Sequence, residues 1–358
     1  MHQVYLAGRD SSFAAGADEP VLEAGLRQHL TLPFGCKSGG CGSCRVRLLQ
    51  GEVQHRMPPP ALSQAELDAG YILMCLAEAR SDLVLDLHQP ARLERLRPRQ
   101  LPVRAQARTP LSHDVIGLTL KLPRGDAHGS ASAAGAGGAG AAGTFDYEPG
   151  QYLDFLLEDG KRRSFSIASA PNGETLELHL RIAPGGRFAH WVRDEMPDRA
   201  ILRIEGPLGA FYLREDSDRP ILMMAGGTGL APIKAMLEKQ FAQGLQRPVH
   251  LFWGVRSRED LYLDATLQRW AEEQPLFRYT PVLSDPDTDW QDERGFVHEA
   301  LLRAYPQLDA HEVYMSGPPV MVRSGKDAFT AAGLDPDHLF YDSFDYAFET
   351  WPGQNPAP

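Results

Sequence analysis

Three of the four cysteines in this chain lie within nine residues, between Cys36 and Cys44, and the fourth, Cys75, follows after thirty residues. Glycines fill much of the space between the first three, in the stretch "GCKSGGCGSC". Such a concentration of thiols restricts what the loop can fold around. The candidates are a disulfide knot, a zinc site, a redox dithiol and an iron–sulfur cluster.

The cysteine spacing favours the iron–sulfur cluster. Zinc ribbons typically use two matched C-x2-C pairs, and this chain has one such pair. A redox dithiol would use Cys41 and Cys44 but leave the other two cysteines without a role. The spacing C-x4-C-x2-C with a distant fourth cysteine is the plant-type ligand pattern of a two-iron two-sulfur cluster. We therefore predict that Cys36, Cys41, Cys44 and Cys75 bind such a cluster.

The glycines of the loop support the same prediction. A backbone wrapped closely around an inorganic cluster needs positive φ angles, which glycine adopts at little steric cost. We expect Gly35, Gly39, Gly40 and Gly42 to supply this freedom.

Length and charge indicate a multidomain protein of the cytoplasm. A chain of 358 residues usually builds two or three cores. The net charge of −11 argues against nucleic-acid and anionic-membrane partners, which require a basic surface. No apolar run approaches the roughly 20 residues that cross a bilayer, and the N-terminal residues lack the features of a secretory signal. We therefore expect a soluble cytoplasmic protein whose thiols stay reduced.

The first 90 residues are predicted to form a small β-rich domain. Strand-like stretches at 2–7 and 44–53 flank a short amphipathic helix in "PVLEAGLRQHL". Together, the cysteine loop and the stretch "MCLAEARSDLVL" resemble a plant-type ferredoxin domain. This resemblance implies a β-grasp fold for residues 1–90. Residues 91–99, in a stretch rich in arginine and proline, are predicted to be a linker.

A second motif lies in "KRRSFSIAS", which places Arg163, Phe165 and Ser166 on one strand. Together these side chains offer a cation for a phosphate, a ring for stacking and a hydroxyl for a ring nitrogen. With "PGQYLDF" before it and "RIAPGGRFAHWV" after it, the motif resembles the FAD-binding barrel of the ferredoxin–NADP reductase superfamily. The resemblance implies an antiparallel β-barrel over residues 100–215. Residues 127–143, almost entirely alanine, glycine and serine, are predicted to be a disordered insertion within it.

The same resemblance implies roles for the residues of this FAD domain. Arg163 would contact the FAD diphosphate, Phe165 would pack on the flavin side, and Ser166 would hydrogen-bond the reactive flavin nitrogen, as the one candidate catalytic residue. The turn facing the diphosphate would consist of Gly185, Gly186, Arg187 and Phe188. Ala189 stands where relatives often have serine or threonine, so one hydroxyl contact with the cofactor is missing.

Residues 216–350 alternate apolar strands with helices, which predicts an α/β domain with an open parallel sheet. In "AGGTGLAP", glycines at the end of a strand let the backbone approach a pyrophosphate. The stretches "AGGTGLAP", "FWGVRSREDLY" and "YMSGPPVM" occur in the order found in the NAD(P) domain of the same superfamily. By this resemblance, a nicotinamide site is lined by Gly226, Gly227, Thr228, Gly229, Gly317 and Pro318, with Phe344 near the flavin. Ser316 stands where many relatives carry a cysteine that assists hydride transfer.

The donor nucleotide is predicted to be NADH, with NADPH as the alternative. Arg256 and Arg258 could bind the extra phosphate of NADPH, but Glu259 and Asp260 would repel it. Residues 351–358 are assigned to a C-terminal tail.

Three modules in this order predict a reductase that passes electrons from NAD(P)H to FAD, then to the cluster, then to a redox acceptor protein. The order resembles the CDP-6-deoxy-3,4-glucoseen reductases and the reductase components of bacterial oxygenases. The first resemblance implies a deoxysugar dehydratase as acceptor, and the second implies an oxygenase component. The alternative of another class is a non-enzymatic carrier or redox sensor with a decayed flavin site, which Ala189 and Ser316 favour.

Overall fold

The computed structural model describes residues 1–28, 30, 32–34, 37–40, 42–87, 96–123 and 145–344. Within these ranges the chain forms three successive domains, each built around its own sheet. The predicted multidomain class, with a parallel sheet in the last domain, is confirmed. The predicted insertion at 127–143, the tail at 351–358 and most of the linker at 91–99 lie outside the described residues.

The first domain, which we call the cysteine domain, is a five-stranded sheet packed against a short helix. Its sheet order is β2-β1-β7-β3-β5, with β1 and β7 parallel, and a separate pair joins β4 and β6. Buried apolar side chains such as Phe13, Leu22 and Val46 fill the space between sheet and helix. Its elements are β1 (His2–Leu6), β2 (Ser12–Ala15), α1 (Val21–Arg27), β3 (Arg45–Gln50), β4 (Val53–His55), α2 (Gln64–Asp68), β5 (Tyr71–Leu73), β6 (Ala77–Ala79) and β7 (Leu83–Asp86).

The second domain, the barrel domain, is a six-stranded antiparallel sheet of order β11-β10-β13-β8-β9-β12. A bridge between Ile167 and Leu178 connects its two edges, so the sheet closes on itself around an apolar core. Its elements are β8 (Arg99–Pro110), β9 (Val115–Lys121), β10 (Tyr152–Leu156), β11 (Arg162–Ser166), β12 (Thr175–Arg181), α3 (Arg187–Asp194) and β13 (Ile201–Leu208).

The third domain, the parallel-sheet domain, has strand order β17-β16-β15-β14-β18-β19, with every pair parallel. Strands β14 and β18 are buried along their whole length, as central strands of a parallel sheet covered on both faces should be. Its elements are β14 (Ile221–Gly226), α4 (Leu230–Gln243), β15 (Val249–Val255), α5 (Asp264–Glu273), β16 (Phe277–Leu283), β17 (Glu293–Arg294), α6 (Val297–Ala304), β18 (Glu312–Gly317), α7 (Pro319–Ala331) and β19 (Leu339–Ser343).

The strand order of the third domain locates its ligand site. The chain runs outward from β14 to β15 and β16, then returns to place β18 on the other side of β14. Such a reversal opens a crevice beyond the carboxyl ends of the two strands, which is where ligands bind in open parallel sheets. None of the described helices is both long and apolar enough to span a membrane.

Buried polar contacts join the barrel domain to the parallel-sheet domain. Lys234 on α4 donates hydrogen bonds to Glu177 on β12 at 2.8 Å and to the Ala168 carbonyl at 2.9 Å. The buried His179 lies 3.1 Å from the hydroxyl of Tyr262 through its Nδ1. These contacts hold β12 against the carboxyl edge of the parallel sheet.

Candidate electron-transfer site

Two of the four predicted cluster ligands come together in the cysteine domain. Cys44 immediately precedes β3 and Cys75 follows β5, and these strands pair with Arg45 opposite Leu73. This register brings the two Sγ atoms to 3.2 Å, and the residues are only 3% and 6% exposed. Cys36 and Cys41 lie outside the described residues, so the full ligand set stays a prediction.

The glycines of the loop fit a tightly wrapped ligand. Gly39 and Gly42 have φ angles of +84° and +73°, as predicted, whereas Gly40 does not have a positive φ. Neither has room for a side chain, because a Cβ at Gly39 would lie 2.5 Å from Leu76 and one at Gly42 would lie 2.3 Å from the Tyr341 ring. Gly35 lies outside the described residues. Converging buried thiols in a glycine-rich loop are the donor set that an iron–sulfur cluster requires.

A cavity of about 620 Å³ lies where the three domains meet. The barrel domain contributes most of its wall, and the parallel-sheet domain contributes Thr228, Ala231 and residues 342–344. The cysteine domain also reaches it, through Phe34, Lys37 and Ser43. Ser43 directly precedes the buried Cys44, so the cysteine loop and the cavity are neighbours.

Strand β11 carries the three side chains that the sequence singled out, and all three line the cavity. Pairing with β10 sets Phe165 opposite Leu153 and Ser166 opposite Tyr152. The Phe165 ring packs 5.6 Å from the Phe188 ring, which fixes it at the edge of the barrel core. Arg163 stands two residues earlier on the strand and therefore on the same face as Phe165.

The turn that precedes α3 forms a second wall. The Gly186 amide donates to the Ala183 carbonyl at 3.0 Å, and Gly185 has a φ of +80°. The cavity is lined by Gly186, Arg187, Phe188 and Ala189, but Gly185 is not among the lining residues. Because the first-turn N–H groups of a helix lack intrahelical acceptors, this end of α3 favours an anion such as a diphosphate.

The glycine turn after β14 packs against the end of β18. A Cβ at Gly229 would lie 2.0 Å from the Ser316 carbonyl oxygen, and Gly317 lies beside Gly226 with a φ of +154°. Thr228, at the tip of this turn, lines the cavity. The turn and the Gly317–Pro318 segment therefore lie together at the crevice of the sheet. Thr228 is the one predicted residue of this group that lines the cavity; the others, Gly226, Gly227, Gly229, Gly317 and Pro318, are not among its lining residues.

The two remaining predicted site residues, Phe344 and Arg256, differ in their position relative to the cavity. Phe344 lines the cavity, and its amide donates to the Gly317 carbonyl at 3.3 Å. Arg256 is exposed just after β15 and is not a lining residue. Nearby, Arg258 forms an ion pair with Asp289 at 3.3 Å and covers the Trp290 ring.

Asp342 is a site residue that sequence reasoning missed. Its carboxylate accepts a hydrogen bond of 3.5 Å from the Ser166 hydroxyl, and both residues line the cavity. Burial raises the pKa of Asp342 to about 7, and the hydrogen bond from Ser166 opposes that rise. The available signal was an acidic residue in a strand, "LFYDS", that begins with three apolar or aromatic residues.

Arg181 is a second residue that the sequence did not single out. It lines the cavity from β12, and its Nε donates to Asp114 at 2.8 Å. A Cβ at Gly227 would lie 3.5 Å from its guanidinium, so this cation faces the glycine turn. The cavity lining therefore includes several arginines, the N-terminal end of α3 and several aromatic rings. This combination fits a ligand with a diphosphate and a flat ring system, which is the chemistry of FAD.

Family models match three consecutive parts of the chain. Residues 4–80 match the 2Fe-2S iron-sulfur cluster binding domain, residues 139–212 the oxidoreductase FAD-binding domain, and residues 223–327 the oxidoreductase NAD-binding domain. These matches confirm the predicted cofactors and the order of the modules.

Relatives and solved structures align over nearly the whole chain. The CDP-6-deoxy-L-threo-D-glycero-4-hexulose-3-dehydrase reductase of Yersinia pestis is 34% identical over 333 residues, covering 93% of this chain and 95% of the relative. Reductase component 1 of the terephthalate 1,2-dioxygenase of Comamonas sp is 32% identical, covering 96% and 97%. The crystal structure of the Amycolatopsis cytochrome P450 reductase GcoB superposes with a TM-score of 0.69 at 30% identity, covering 96% and 99%.

Proposed function

Because the chain belongs to the ferredoxin–NADP reductase superfamily, among the reductases that carry a plant-type ferredoxin domain, we propose that it serves a separate dehydratase of deoxysugar synthesis. The protein is an NAD(P)H-dependent oxidoreductase that passes electrons through FAD and a two-iron two-sulfur cluster to an acceptor protein. The observation that supports this acceptor is the 34% identity, over 93% of the chain, to the Yersinia pestis dehydrase reductase.

A second acceptor class has its own support. The terephthalate dioxygenase reductase component is 32% identical over 96% of the chain, and the P450 reductase GcoB shares the three-domain arrangement. An oxygenase component is therefore the alternative acceptor. The two acceptor classes can be distinguished by adding a dehydratase and an oxygenase component separately to the reduced protein.

The cavity residues have proposed roles in holding the flavin. Bound FAD takes up two electrons as hydride and releases them singly, which is the chemistry that links a nicotinamide to a one-electron cluster. Arg163, with Arg187 and the N-terminal end of α3, would hold the diphosphate. Phe165 and Phe344 would flank the ring system and exclude water from it. Ser166 would donate a hydrogen bond to the flavin ring, and Asp342 would hold a proton on its carboxyl below about pH 7.

The nucleotide and cluster sites complete the proposal. The glycine turn with Thr228 and the Gly317–Pro318 segment would hold the nicotinamide end of the donor, because both lie at the crevice of the parallel sheet. Cys36, Cys41, Cys44 and Cys75 would ligate the cluster. NADH is the proposed donor, since Arg258 is already engaged by Asp289 and the adjacent Glu259 adds negative charge where an extra phosphate would bind.

An anaerobic titration tests the electron path and the donor together. The purified holoprotein is mixed with NADH or NADPH, and the flavin and cluster absorbance bands are followed separately. Bleaching of both bands within seconds by NADH is the expected result. A cluster band that ignores both nucleotides would leave an electron carrier or sensor. Adding a sugar dehydratase or a hydroxylase component to the reduced protein then identifies the acceptor by reoxidation.

A further inference from the structure

A buried cluster of three charges joins the cysteine domain to the parallel-sheet domain. Glu66 on α2 is 1% exposed and forms ion pairs with Arg45 at 2.6 Å and with Lys326 on α7 at 2.7 Å. Lys326 is itself only 6% exposed. The Ser63 capping box also holds Glu66, because the Ser63 amide donates to it at 2.7 Å. Contacts within the cysteine domain therefore hold the Glu66 carboxylate in place independently of Lys326.

Tyr341 extends this cluster to the cysteine loop. Lys326 donates to the Tyr341 hydroxyl at 3.0 Å, and that hydroxyl donates to the Ala61 carbonyl at 3.0 Å. The ring also touches the loop backbone, since a Cβ at Gly42 would lie 2.3 Å from its Cε2. Arg45 adds a further link by donating to the Leu339 carbonyl at 2.6 Å. The loop between Cys41 and Cys44 is thus packed directly on β19.

The same strand forms part of the cavity. Tyr341 and Asp342 are consecutive residues of β19, so their side chains point to opposite faces. Tyr341 contacts the cysteine loop, whereas Asp342 contacts Ser166 in the cavity. Strand β19 therefore contacts the cysteine loop on one face and the cavity on the other, and the position of the loop on this strand helps to set the distance between the two sites.

The energetics of buried ion pairs favour a positioning role over a stabilising one. Removing charges from water costs about as much as their attraction returns, so a buried pair adds little net stability compared with apolar side chains. A buried ion pair does fix the relative position of the two elements that carry it, because each charge must lie next to its partner. Burial lowers the pKa of Lys326 and would raise that of Glu66, but Lys326 and Arg45 together hold the pKa of Glu66 below its usual value.

We propose that Lys326 is a positioning residue that locks the cysteine domain onto β19 and thereby sets the rate of flavin-to-cluster electron transfer. In that step one electron leaves the reduced flavin and enters the cluster, and no bond forms or breaks between them. Transfer rates fall steeply with separation, so a loosened interface slows this step alone. The inference rests on the proposed function, because it presupposes that flavin and cluster occupy the two sites.

The test uses the full-length holoprotein with Lys326→Met, which keeps most of the side-chain volume but removes the charge. Lys239→Met is the control, because Lys239 on α4 likewise forms an ion pair between two domains, with Glu148 of the barrel domain at 2.7 Å, and this pair does not involve the cysteine domain. Hydrogen–deuterium exchange of residues 61–66 and 337–341 reports on the interface. Anaerobic stopped-flow mixing with NADH reports flavin and cluster bleaching separately.

Faster exchange at the interface is expected in Lys326→Met, together with cluster reduction slowed several-fold, because the electron crosses a longer distance once the cysteine domain moves away from β19. Flavin reduction by NADH should stay within about twofold, and the control should match the wild type in both assays. Cluster reduction at the wild-type rate would overturn the proposal. Equal slowing of flavin and cluster reduction would also overturn it, because it would indicate general damage to the parallel-sheet domain.

A second variant covers the case in which Lys326→Met does not fold. Glu66→Gln is nearly isosteric, retains the capping position, and removes the same ion pair from the cysteine-domain side. It should show the same selective slowing of cluster reduction, and unchanged kinetics in this variant would overturn the proposal as well. A wild-type protein in which neither band responds to nucleotide would instead refute the proposed function.

Discussion

The Ser166 hydroxyl donates a hydrogen bond of 3.5 Å to the Asp342 carboxylate, across the boundary between the barrel domain and the parallel-sheet domain. This contact links Ser166, which a sequence motif predicts, to Asp342, which belongs to no recognised motif. It also places a carboxyl group with a pKa of about 7 at the cavity. The protonation state of that carboxyl therefore changes near neutral pH.

Asp342 should make stability depend on pH. Its folded pKa of about 7 lies above the unfolded value of 3.8, so the folded protein binds the additional proton between these values. Stability should fall as pH rises from about 4 to about 7, by up to about 4 kcal/mol. Asp342→Asn should remove this dependence, as measured by urea unfolding at pH 5 and pH 8. The exposed Asp287→Asn is the control and should retain the wild-type slope; a wild-type slope in Asp342→Asn would contradict the assignment.

Arg163→Ala should weaken FAD binding by about 10- to 100-fold, because a hydrogen bond to a charged group contributes about 1.5–3 kcal/mol. Flavin fluorescence during titration of FAD into the flavin-free protein measures the dissociation constant. Lys161→Ala in the same hairpin removes an exposed cation that pairs with Asp159, and it should leave the affinity unchanged. Equal affinities of wild type and Arg163→Ala would refute the proposed diphosphate contact.

Gly42→Ala should displace the cysteine loop, and Gly8→Ala provides a matched control. Both glycines have nearly the same φ, +73° and +71°, but only Gly42 faces a neighbouring side chain, the Tyr341 ring. Gly8→Ala should therefore cost only the backbone strain, about 1–2 kcal/mol. Gly42→Ala adds a steric clash, so it should also lower the cluster content measured by visible absorbance and iron analysis. Similar cluster contents in the two variants would contradict the packing of the loop on Tyr341.

Ser316→Ala should leave the protein as stable as the wild type or more stable by about 1 kcal/mol. The Ser316 hydroxyl is fully buried and has no hydrogen-bond partner among the described residues, and an unsatisfied buried donor costs about 1–3 kcal/mol. Thermal unfolding measures the change, and NADH-driven flavin bleaching measures the hydride step. A destabilisation above about 1 kcal/mol would mean that the hydroxyl has a partner in the folded protein.

Glu259→Gln should raise kcat/KM for NADPH by a few-fold and leave that for NADH unchanged, because it removes one exposed negative charge worth about 1 kcal/mol near the expected phosphate. Steady-state kinetics with both nucleotides at low salt measure the ratio. The exposed Glu272→Gln on α5 is the control and should change neither value. An unchanged NADPH-to-NADH ratio in Glu259→Gln would place the adenosine end of the donor elsewhere.

The parts of the site that local sequence encodes were predictable. Cys44 and Cys75 carry a spacing with few other uses, and Gly39 and Gly42 have the positive φ angles that a closed loop needs. Ser166 was reached through its motif, and the fold class through alternating patterns and their order. These features depend on residues that are close together in the chain.

The parts that arise between distant segments were not predictable from local patterns. Asp342 faces Ser166 across 176 residues, and its raised pKa comes from burial that only the assembled domains create. Lys326 lay in a helix with ordinary helical periodicity, and its partner Glu66 belonged to another domain. The sequence alone does not show that Lys326 and Glu66 form an ion pair, so it gives no way to tell these two residues from charged residues exposed to solvent.

The contact between Tyr341 and the cysteine loop also has a consequence for how the protein is made. On the ribosome, the cysteine domain is complete about 250 residues before Tyr341 is synthesised, and domains generally fold in the order in which they emerge. Throughout that interval the loop has no β19 to pack on. Iron and sulfide therefore have access to the nascent chain before the later domains cover it, so cluster insertion can precede final assembly.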